Sequence, residues 1–427
     1  MRYAADGLLG EHIGSRKKAS DHSLSFYSFG FEKAKDTAGC RVHYLIIIVG
    51  GNNMGITLEK KLGFGTMRLP LTDPDDPKSI DLEEFKRMVD CYLEKGFRYF
   101  DTAYPYHGEC SESAVKKCLV DRYPRERFLL ADKMPIRMVT GPADYEKFFN
   151  EQLNRCGVSY FDVYLLHNLG RDRYVGTEQF GAFDFLKQLK EKGLAKNIGF
   201  SFHDDAKTLD RILTDHPEVD VVQLQLNYLD WDGAVAQSGL CYDVATRHGK
   251  QVIVMEPVKG GQLANLPEPA MKVFRDFYPD NAVSPSSLAI RFAASQENVR
   301  VVLSGMSRLE HVMDNTSYMQ DFVPLSEAEL DLTKRIVMEL KSAIRVPCTG
   351  CRYCTEVCPM DIAIPDYFGL LNLYAVTGKK TNMYYMRFSM NHGKASECIH
   401  CGQCEENCPQ HIQIRDMLEE FATLYES

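Results

Sequence analysis

Residues 162–201 are DVYLLHNLGRDRYVGTEQFGAFDFLKQLKEKGLAKNIGFS, and they contain one complete strand–helix–strand unit. Two short apolar runs, at 162–167 and 196–201, flank an amphipathic stretch at 180–192. Alternation of this kind is typical of parallel strands joined by a helix that covers one face of the sheet. The stretch therefore predicts a βαβ unit.

The same unit recurs along the chain from residue 62. Predicted strands occupy 62–65, 99–102, 128–133, 162–167, 196–201, 221–226, 251–255 and 299–304. Predicted helices occupy 82–95, 112–120, 145–156, 180–192, 207–214, 234–248, 285–294 and 309–319. Eight of each, over about 270 residues, is the count and length of a (β/α)₈ TIM barrel. An open doubly wound sheet is the alternative, which is disfavoured because no G-x-G-x-x-G follows the first strand.

Eight of the 14 cysteines form a duplicated motif. The pattern C-x₂-C-x₂-C-x₃-C-P occurs at 348–359 and again, 50 positions later, at 398–409. Soft thiolates at this spacing suit an iron–sulfur cube, and the fourth cysteine usually reaches the other cube of a pair. Zinc sites usually group cysteines as pairs, and disulfide frameworks belong to short secreted chains.

The motif therefore predicts two [4Fe-4S] clusters. The first cysteine set is Cys348, Cys351, Cys354 and Cys408. The second cysteine set is Cys398, Cys401, Cys404 and Cys358. The segment resembles a bacterial-type ferredoxin domain with about 40 residues inserted between its motifs, and we expect the insertion at 360–397 to be helical.

Polar side chains end three neighbouring predicted strands. Asp101 ends the second strand in RYFDTAYPYHGE, with Tyr106 just beyond it, Lys133 ends the third in LLADKMP, and His167 ends the fourth in DVYLLHN. Each residue alone has an ordinary structural explanation, such as a helix cap or a solvated strand end. Because a TIM barrel gathers its functional residues at the C-terminal ends of the strands, their joint placement favours a catalytic site.

These motifs together resemble the aldo/keto reductase family. The similarity lies in GFGTMRLP at 63–70, DTAxxY at 101–106, LLH at 165–167 and IGFS at 198–201. It implies an NAD(P)H-dependent enzyme that reduces aldehydes or ketones to alcohols by hydride transfer. The family's catalytic residues carry over to Asp101, Tyr106, Lys133 and His167. In a departure from many members, His107 separates the tyrosine from the next glycine.

The resemblance gives each of the four residues a chemical role. Tyr106 is the expected general acid, and its free pKa near 10 calls for help near neutral pH. We expect the Lys133 ammonium, held by Asp101, to lower the Tyr106 pKa by about 3 units. His167 is expected to orient the carbonyl and donate a hydrogen bond to its oxygen.

The cofactor contacts follow from the same resemblance. Ser201 and Gln225 would hold the nicotinamide carboxamide, and Met255 stands where the family often stacks an aromatic ring. Glycines after the seventh strand and polar residues after the eighth suit pyrophosphate and phosphate. These candidates are Gly260, Gly261, Ser304, Ser307, Arg308 and Asn315. Because Arg308 could neutralise a 2′-phosphate, NADPH is favoured over NADH.

Composition limits the partners and the location. The net charge is −9 with no basic stripe, and the longest apolar run, YLIIIV at 44–49, is too short to span a membrane. We therefore expect a small carbonyl or alcohol substrate, no nucleic acid, no membrane and a reducing cytoplasmic location. A redox protein partner at the ferredoxin-like segment is a further expectation.

The expected organisation has four parts. Residues 1–53 form an extension that we expect to be poorly ordered, or the functional chain begins at Met54. The reductase barrel takes 54–325, a linking helix with the capping pattern SEAE takes 326–344, and the mainly helical iron–sulfur module takes 345–427. Loops 168–179 and 228–238, with Tyr174, Tyr228 and Trp231, either line the substrate pocket or pack at the rim.

A second function remains open on the sequence alone. The chain could be an iron–sulfur electron-transfer protein whose barrel binds NAD(P)H as a docking or sensing unit, but such a unit has no need for the four catalytic residues. Hydride carries two electrons and each cube passes one, and no flavin-binding signature is recognisable. We therefore expect a barrel that catalyses independently, with clusters that are not intermediates in carbonyl reduction.

Overall fold

The computed structural model describes residues 55–232, 236–280, 283–377, 380 and 382–427. The expectations for residues 1–53 and for a start at Met54 lie outside the described residues. The strands are β1 Leu62–Gly65, β2 Tyr99–Asp101, β3 Leu129–Met134, β4 Phe161–Leu169, β5 Ala195–Phe202, β6 Val221–Gln225, β7 Gln251–Met255 and β8 Val299–Gly305.

The helices follow in chain order. The barrel region contains α1 Leu82–Glu94, α2 Ser111–Val115, α3 Ala143–Cys156, α4 Arg171–Gln179, α5 Ala182–Glu191, α6 Ala206–Asp215, α7 Ser238–Arg247, α8 Glu268–Phe277, α9 Pro285–Ala294 and α10 Leu309–Met319. The C-terminal region contains α11 Glu327–Ala343, α12 Tyr353–Glu356, α13 Ile364–Thr377, α14 Asn382–Asn391, α15 Gln403–Glu406 and α16 Ile414–Tyr425. None of the helices in the described ranges has the length and hydropathy needed to cross a membrane.

The strands close into a barrel in sequence order. Each pairs in parallel with its neighbour, and β8 returns to β1, where Leu62 is opposite Val302. Side chains such as Tyr99, Leu165 and Val301 fill the interior, while the other faces of the strands pack against the helices. Alternation along each strand produces these two layers. The predicted (β/α)₈ barrel is confirmed.

Some helices differ from the prediction. The segment predicted as one helix at 112–120 is α2 followed by a π-helical turn at Lys116–Val120. Helix α4 lies in a segment that was predicted as a loop. The sequence of this segment is polar and has no helical period, which explains the wrong prediction. Helix α8 was not predicted, although Ala270 and Phe274 on one face are buried. Part of the helix predicted at 234–248 lies outside the described residues.

A single helix leads from the barrel to the cysteine region. Ser326 accepts a hydrogen bond from the Glu329 amide, and the Glu329 carboxylate accepts one from the Ser326 amide, so α11 begins with the predicted capping box. The region beyond it has its own apolar core, which includes Tyr367, Leu371 and Phe421. Barrel, helix and cysteine region form one compact unit.

Candidate functional site

Three of the four predicted catalytic side chains meet at the C-terminal ends of β2 and β3. The buried Lys133 ammonium donates to Asp101 Oδ1 at 2.5 Å and to the Thr102 carbonyl at 2.8 Å. It also lies 3.5 Å from the Tyr106 hydroxyl. Gln223 on β6 donates to the other Asp101 oxygen at 3.0 Å. The ammonium is therefore fixed between a carboxylate and the phenol.

The surroundings of Tyr106 favour its protonated phenol over the tyrosinate. Burial raises its pKa well above 10, and the carboxylates of Asp101, Asp132 and Glu256 raise it further. This direction is opposite to the lowering that we expected from Lys133. Burial and the nearby carboxylates outweigh the stabilisation of the tyrosinate by an ammonium 3.5 Å away, part of whose charge Asp101 offsets.

The fourth residue, His167, lies at the same rim at the end of β4. Its ring meets the Tyr106 ring edge-on, with centroids 5.8 Å apart. Burial lowers the His167 pKa well below 6.5, and nearby cations such as Lys133 lower it further, so the imidazole is neutral at neutral pH. Its Nε2 atom lies 3.2 Å from the hydroxyl of Tyr353, a residue of the C-terminal region.

The alternative tyrosine, Tyr104, has other partners. Its hydroxyl donates to Glu151 at 3.3 Å and accepts a hydrogen bond from Arg155 at 3.1 Å. Its ring packs edge-on against Phe148 on α3. Of the two tyrosines, only Tyr106 contacts Lys133.

A cavity of about 490 Å³ opens at the barrel mouth. Its wall includes Asp101, Tyr106 and His167 at one end and residues after β8 at the other. Of the predicted cofactor contacts, six line this barrel-mouth cavity: Ser201, Gly260, Gly261, Ser304, Ser307 and Asn315.

Two predicted cofactor contacts do not line the barrel-mouth cavity. Arg308 is exposed at the start of α10, next to the cavity residue Ser307, and its contact with a 2′-phosphate stays a prediction. Gln225 is buried in a pair of amide–amide hydrogen bonds with Gln410, at 2.9 and 2.5 Å. Lys259 also donates to Gln410 at 3.2 Å. A residue of the C-terminal region thus hydrogen-bonds the Gln225 side chain, which was expected to bind the nicotinamide carboxamide.

Gly260 was expected to allow a close approach of the backbone to pyrophosphate, but in the structure it lies against the backbone of Thr349. It adopts φ of +62°, and a Cβ atom there would lie 2.2 Å from the carbonyl oxygen of Thr349. Arg68 donates to the same oxygen at 3.0 Å. The glycine therefore lets the backbone of the cysteine region approach the barrel.

Sequence reasoning missed several residues of the cavity wall. Arg68, Glu256, Cys351 and Tyr353 all line it. Glu256 is half-buried, and one of its carboxylate oxygens is closed to solvent and has no hydrogen-bond partner among the described residues. Burial raises its pKa. The loss of strand pattern after Met255 hid Glu256, while the other residues reach the cavity through contacts distant in sequence.

The aromatic residues considered for the substrate pocket pack elsewhere. The Tyr174 hydroxyl donates to Asp215 at 2.8 Å, and its ring packs against Phe183. Tyr228 and Trp231 each contact Phe292 edge-on. None of these three aromatic side chains is among the described residues that line the barrel-mouth cavity, so they pack at the rim.

The eight motif cysteines surround two further cavities. One is lined by the first cysteine set, Cys348, Cys351, Cys354 and Cys408. The other is lined by the second cysteine set, Cys358, Cys398, Cys401 and Cys404. The structure thus brings together the groups that the motif spacing predicts, with the fourth cysteine of each motif crossing to the other group.

The spacing of the sulfurs bears on the kind of centre they can hold. Zinc bound by sulfur at about 2.3 Å in a tetrahedron needs its ligand atoms within about 4 Å of one another. Among the described residues, the group of ligand atoms that lies within 4.8 Å of one another comes from Glu112, Asp132 and Cys156, not from the motif cysteines. The motif sulfurs thus lack the close grouping that a single tetrahedral zinc ion needs.

The fold, the strand-end residues and the cysteine sets define an oxidoreductase barrel with an iron–sulfur domain. The aldo/keto reductase family profile matches residues 61–337, and a 4Fe-4S dicluster domain profile matches 347–412. The chain belongs to the aldo/keto reductase family and carries an iron–sulfur domain. It is an NAD(P)H-dependent oxidoreductase.

Individual relatives are similar to part of this chain. A probable aldo-keto reductase of Glycine max is 25% identical over 307 residues, which are 63% of this chain and 83% of the relative. An aldo-keto reductase of Mycobacterium avium is 28% identical over 240 residues, covering 55% and 75%. A solved aldo-keto reductase of Bacillus halodurans shares the fold with a TM-score of 0.52 at 22% identity, covering 65% of this chain and 91% of that one. A Klebsiella pneumoniae aldo/keto reductase solved with NADP and acetate gives a TM-score of 0.53 at 17% identity, covering 65% and 91%.

Proposed function

We propose that this protein reduces aldehydes or ketones to alcohols by hydride transfer from NAD(P)H, with Tyr106 as the general acid, and that it carries two [4Fe-4S] clusters. The observation that carries the reductase proposal is the chain of contacts from the buried Asp101 and Lys133 to the half-buried Tyr106, whose side chain lines the barrel-mouth cavity. A barrel that only docked a nucleotide would have no use for a buried ammonium beside a phenol.

The chain's own residues manage the proton and the developing charge. The cofactor supplies the hydride when bound. Tyr106, which is protonated at neutral pH, donates its hydroxyl proton to the carbonyl oxygen. The Lys133 ammonium, 3.5 Å from the phenol oxygen, stabilises the tyrosinate that remains. His167 lies edge-on to Tyr106 and would orient the carbonyl as a neutral imidazole.

The cavity fits a dinucleotide in its shape and lining. It runs from the catalytic residues to Ser304, Ser307 and Asn315 after β8, the position where TIM barrels commonly bind phosphate. Ser201, Gly260 and Gly261 would complete the contacts. Solved Klebsiella relatives contain NADP or NADPH, which favours NADPH here. Gln225, which pairs with Gln410, is not part of this proposed site, whereas the exposed Arg308 would neutralise a 2′-phosphate at its edge.

The two cysteine sets would each hold one cube. Four thiolates converge on each cavity, and their wide spacing suits a cluster better than a single ion. Cys401 of the second set is exposed, so that cube would be the one nearer to an external redox protein. Cys351 lines both the first cluster cavity and the barrel-mouth cavity. The loop of the first cysteine set therefore borders the proposed reductase site.

We retain the expected organisation as part of this proposal. The reductase barrel would take 54–325, the linking helix 326–344 and the iron–sulfur module 345–427. The cytoplasm is the proposed location, because the described cysteines are free thiols and the clusters need reduced ligands. The partners would be a small carbonyl or alcohol substrate and a redox protein, with no nucleic acid and no membrane.

The test of the reductase proposal is NADPH oxidation by the anaerobic holoprotein across a panel of aldehydes and ketones. Tyr106→Phe should abolish turnover and leave NADPH binding nearly unchanged, because the phenol acts only in the chemical step. Tyr104→Phe is the matched control, since its hydroxyl bonds to Glu151 and Arg155. Equal turnover in Tyr106→Phe and Tyr104→Phe would remove Tyr106 as the acid.

The cluster proposal is tested separately by metal content. Two cubes of four predict about eight irons per chain after anaerobic reconstitution. Cys351→Ala should damage the first cluster more than the second. Stoichiometric zinc without iron, and no thiolate-to-iron absorbance, would contradict the proposal.

A further inference from the structure

Tyr353 belongs to two sites at once. It lies between Cys351 and Cys354 of the first cysteine set, at the start of α12. Its side chain is buried and lines the barrel-mouth cavity. Its hydroxyl lies 3.2 Å from His167 Nε2, and the two rings meet edge-on with centroids 6.2 Å apart. A residue of the cluster loop thus touches a proposed catalytic side chain directly.

The loop that carries Tyr353 is held on the barrel by its backbone. Arg68 donates to the Thr349 carbonyl, and Gln262 donates to the Cys348 carbonyl at 2.5 Å. Gly260 leaves room for the Thr349 oxygen, which would lie 2.2 Å from a Cβ atom there. These contacts fix where the loop approaches the mouth, and Tyr353 extends from it to His167.

A hydrogen bond to one ring nitrogen sets the state of a neutral imidazole. It decides which nitrogen carries the proton and restricts rotation of the ring. The neutral His167 is buried at the wall of the barrel-mouth cavity, so losing the Tyr353 hydroxyl would leave Nε2 without this protein partner and open to a reagent in the cavity. The orientation of His167 therefore depends on the position of Tyr353.

The position of Tyr353 depends in turn on the cysteine loop. Residues 348–354 contain three of the four cysteines of the first set, and α12 spans only four residues. A loop this short has little regular structure of its own, and binding of metal by several ligands contributes directly to the folding of such segments. The backbone contacts hold the loop at residues 348 and 349, whereas loss of the first cluster would release residues 351–354 and withdraw the Tyr353 hydroxyl.

We propose that Tyr353 is a positioning residue of the reductase site and that, through it, the site is complete only when the first cluster is bound. This inference rests on the proposed function for its kinetic readout. It goes beyond that function because it makes the iron–sulfur module part of the reductase active site. Carbonyl reduction would then report whether the first cluster is intact.

The first test compares two tyrosine substitutions in the holoprotein. Tyr353→Phe removes only the hydroxyl, and kcat should fall on the order of tenfold while NADPH affinity is unchanged. Tyr367→Phe is the matched control, because Tyr367 is buried in the module and donates to the Gly393 carbonyl at 2.8 Å. It should keep the wild-type kcat, and both variants should keep full iron content.

A second readout does not depend on turnover. Diethyl pyrocarbonate modifies free imidazole nitrogens, and peptide mass mapping gives the rate at each histidine. The rate at His167 should rise severalfold in Tyr353→Phe and stay at the wild-type level in Tyr367→Phe. His203 lines the same cavity and serves as the internal reference. A rise at His167 alone separates loss of its partner from a general opening of the cavity.

The dependence on the cluster is tested with the wild-type protein and one cysteine variant. Removing iron with ferricyanide and a chelator, or the Cys351→Ala substitution, should raise the His167 modification rate at least as much as Tyr353→Phe. Cys91→Ala, at a half-buried cysteine on α1, is the matched control and should leave it unchanged. The wild-type arm remains informative if Cys351→Ala does not fold.

The outcomes separate this inference from the proposed function. Wild-type kcat and wild-type His167 reactivity in Tyr353→Phe would overturn the positioning role. Unchanged His167 reactivity after loss of the first cluster would overturn the coupling. If the wild-type protein reduces no carbonyl but His167 reactivity changes as expected, the proposed function fails while the structural link holds.

Discussion

Replacing Lys133 with Met should both destabilise the protein and slow turnover. Lys133 is fully buried and Asp101 nearly so, with their charged atoms 2.5 Å apart. Removing one partner of a buried ion pair typically costs about 3–5 kcal/mol, because the other charge stays buried. The raised Asp101 pKa lets the carboxyl take up a proton, so we expect about 3 kcal/mol. Loss of the charge beside the tyrosinate should lower kcat on the order of a hundredfold.

The stability loss should also depend on pH. A carboxyl whose folded pKa lies above its unfolded value contributes stability at low pH that is lost as pH rises through the folded pKa. Without Lys133, the pKa of Asp101 in the folded protein rises further above its unfolded value. The deficit of Lys133→Met should therefore be larger at about pH 8 than at about pH 5.5.

The assay is anaerobic urea unfolding of the holoprotein, with a double-mutant cycle. Asp101→Asn in the Lys133→Met background removes the stranded charge and should recover part of the loss. The coupling between the two substitutions should reach about 2–3 kcal/mol. Additive effects, or a cost below about 1 kcal/mol for Lys133→Met, would refute the assignment of a buried, mutually dependent pair.

Two further substitutions test the packing of the chain. Gly260→Ala should cost about 1–3 kcal/mol more than Gly181→Ala in urea unfolding, because both residues have positive φ but only Gly260 lies against the Thr349 carbonyl. Equal costs would mean that the Thr349 carbonyl can move away from the added methyl group without strain. Glu329→Gln should cost about 1–2 kcal/mol at pH 7. Burial raises the Glu329 pKa, but hydrogen bonds, led by the one from Arg291, bring the pKa down to about 2. The carboxylate therefore contributes its full stabilisation above its unfolded pKa, and its partial exposure reduces that stabilisation below the value of the full shift. An unchanged urea midpoint would contradict that role.

Local pattern was enough to predict the barrel and the cysteine groups. A parallel strand such as β4 is buried along its whole length, so it appears as an apolar run between amphipathic helices. Polar residues that end such runs, including Asp101 and His167, must lie at the rim once the barrel closes. The duplicated cysteine motif likewise has a spacing that leaves few alternatives.

The contacts between barrel and cysteine region could not be predicted in this way. Gln410 and Gln225 are 185 positions apart, and Tyr353 and His167 are 186 apart. Neither pair has a periodic or motif signal. The direction of the Tyr106 pKa was missed for a related reason, since burial raises it most and the carboxylates of Asp132 and Glu256, from other parts of the barrel, raise it further.

The most direct test of the central claim follows the hydrogen atom itself. The holoprotein would reduce an aldehyde with NADPH carrying deuterium at C4, using each of the two stereospecifically labelled forms, and mass spectrometry would locate the label. Hydride transfer in the barrel predicts that one form places one deuterium on the carbinol carbon for each NADPH oxidised. An alcohol that takes this hydrogen from solvent with both forms would show that the electrons pass through the clusters, and would contradict the account.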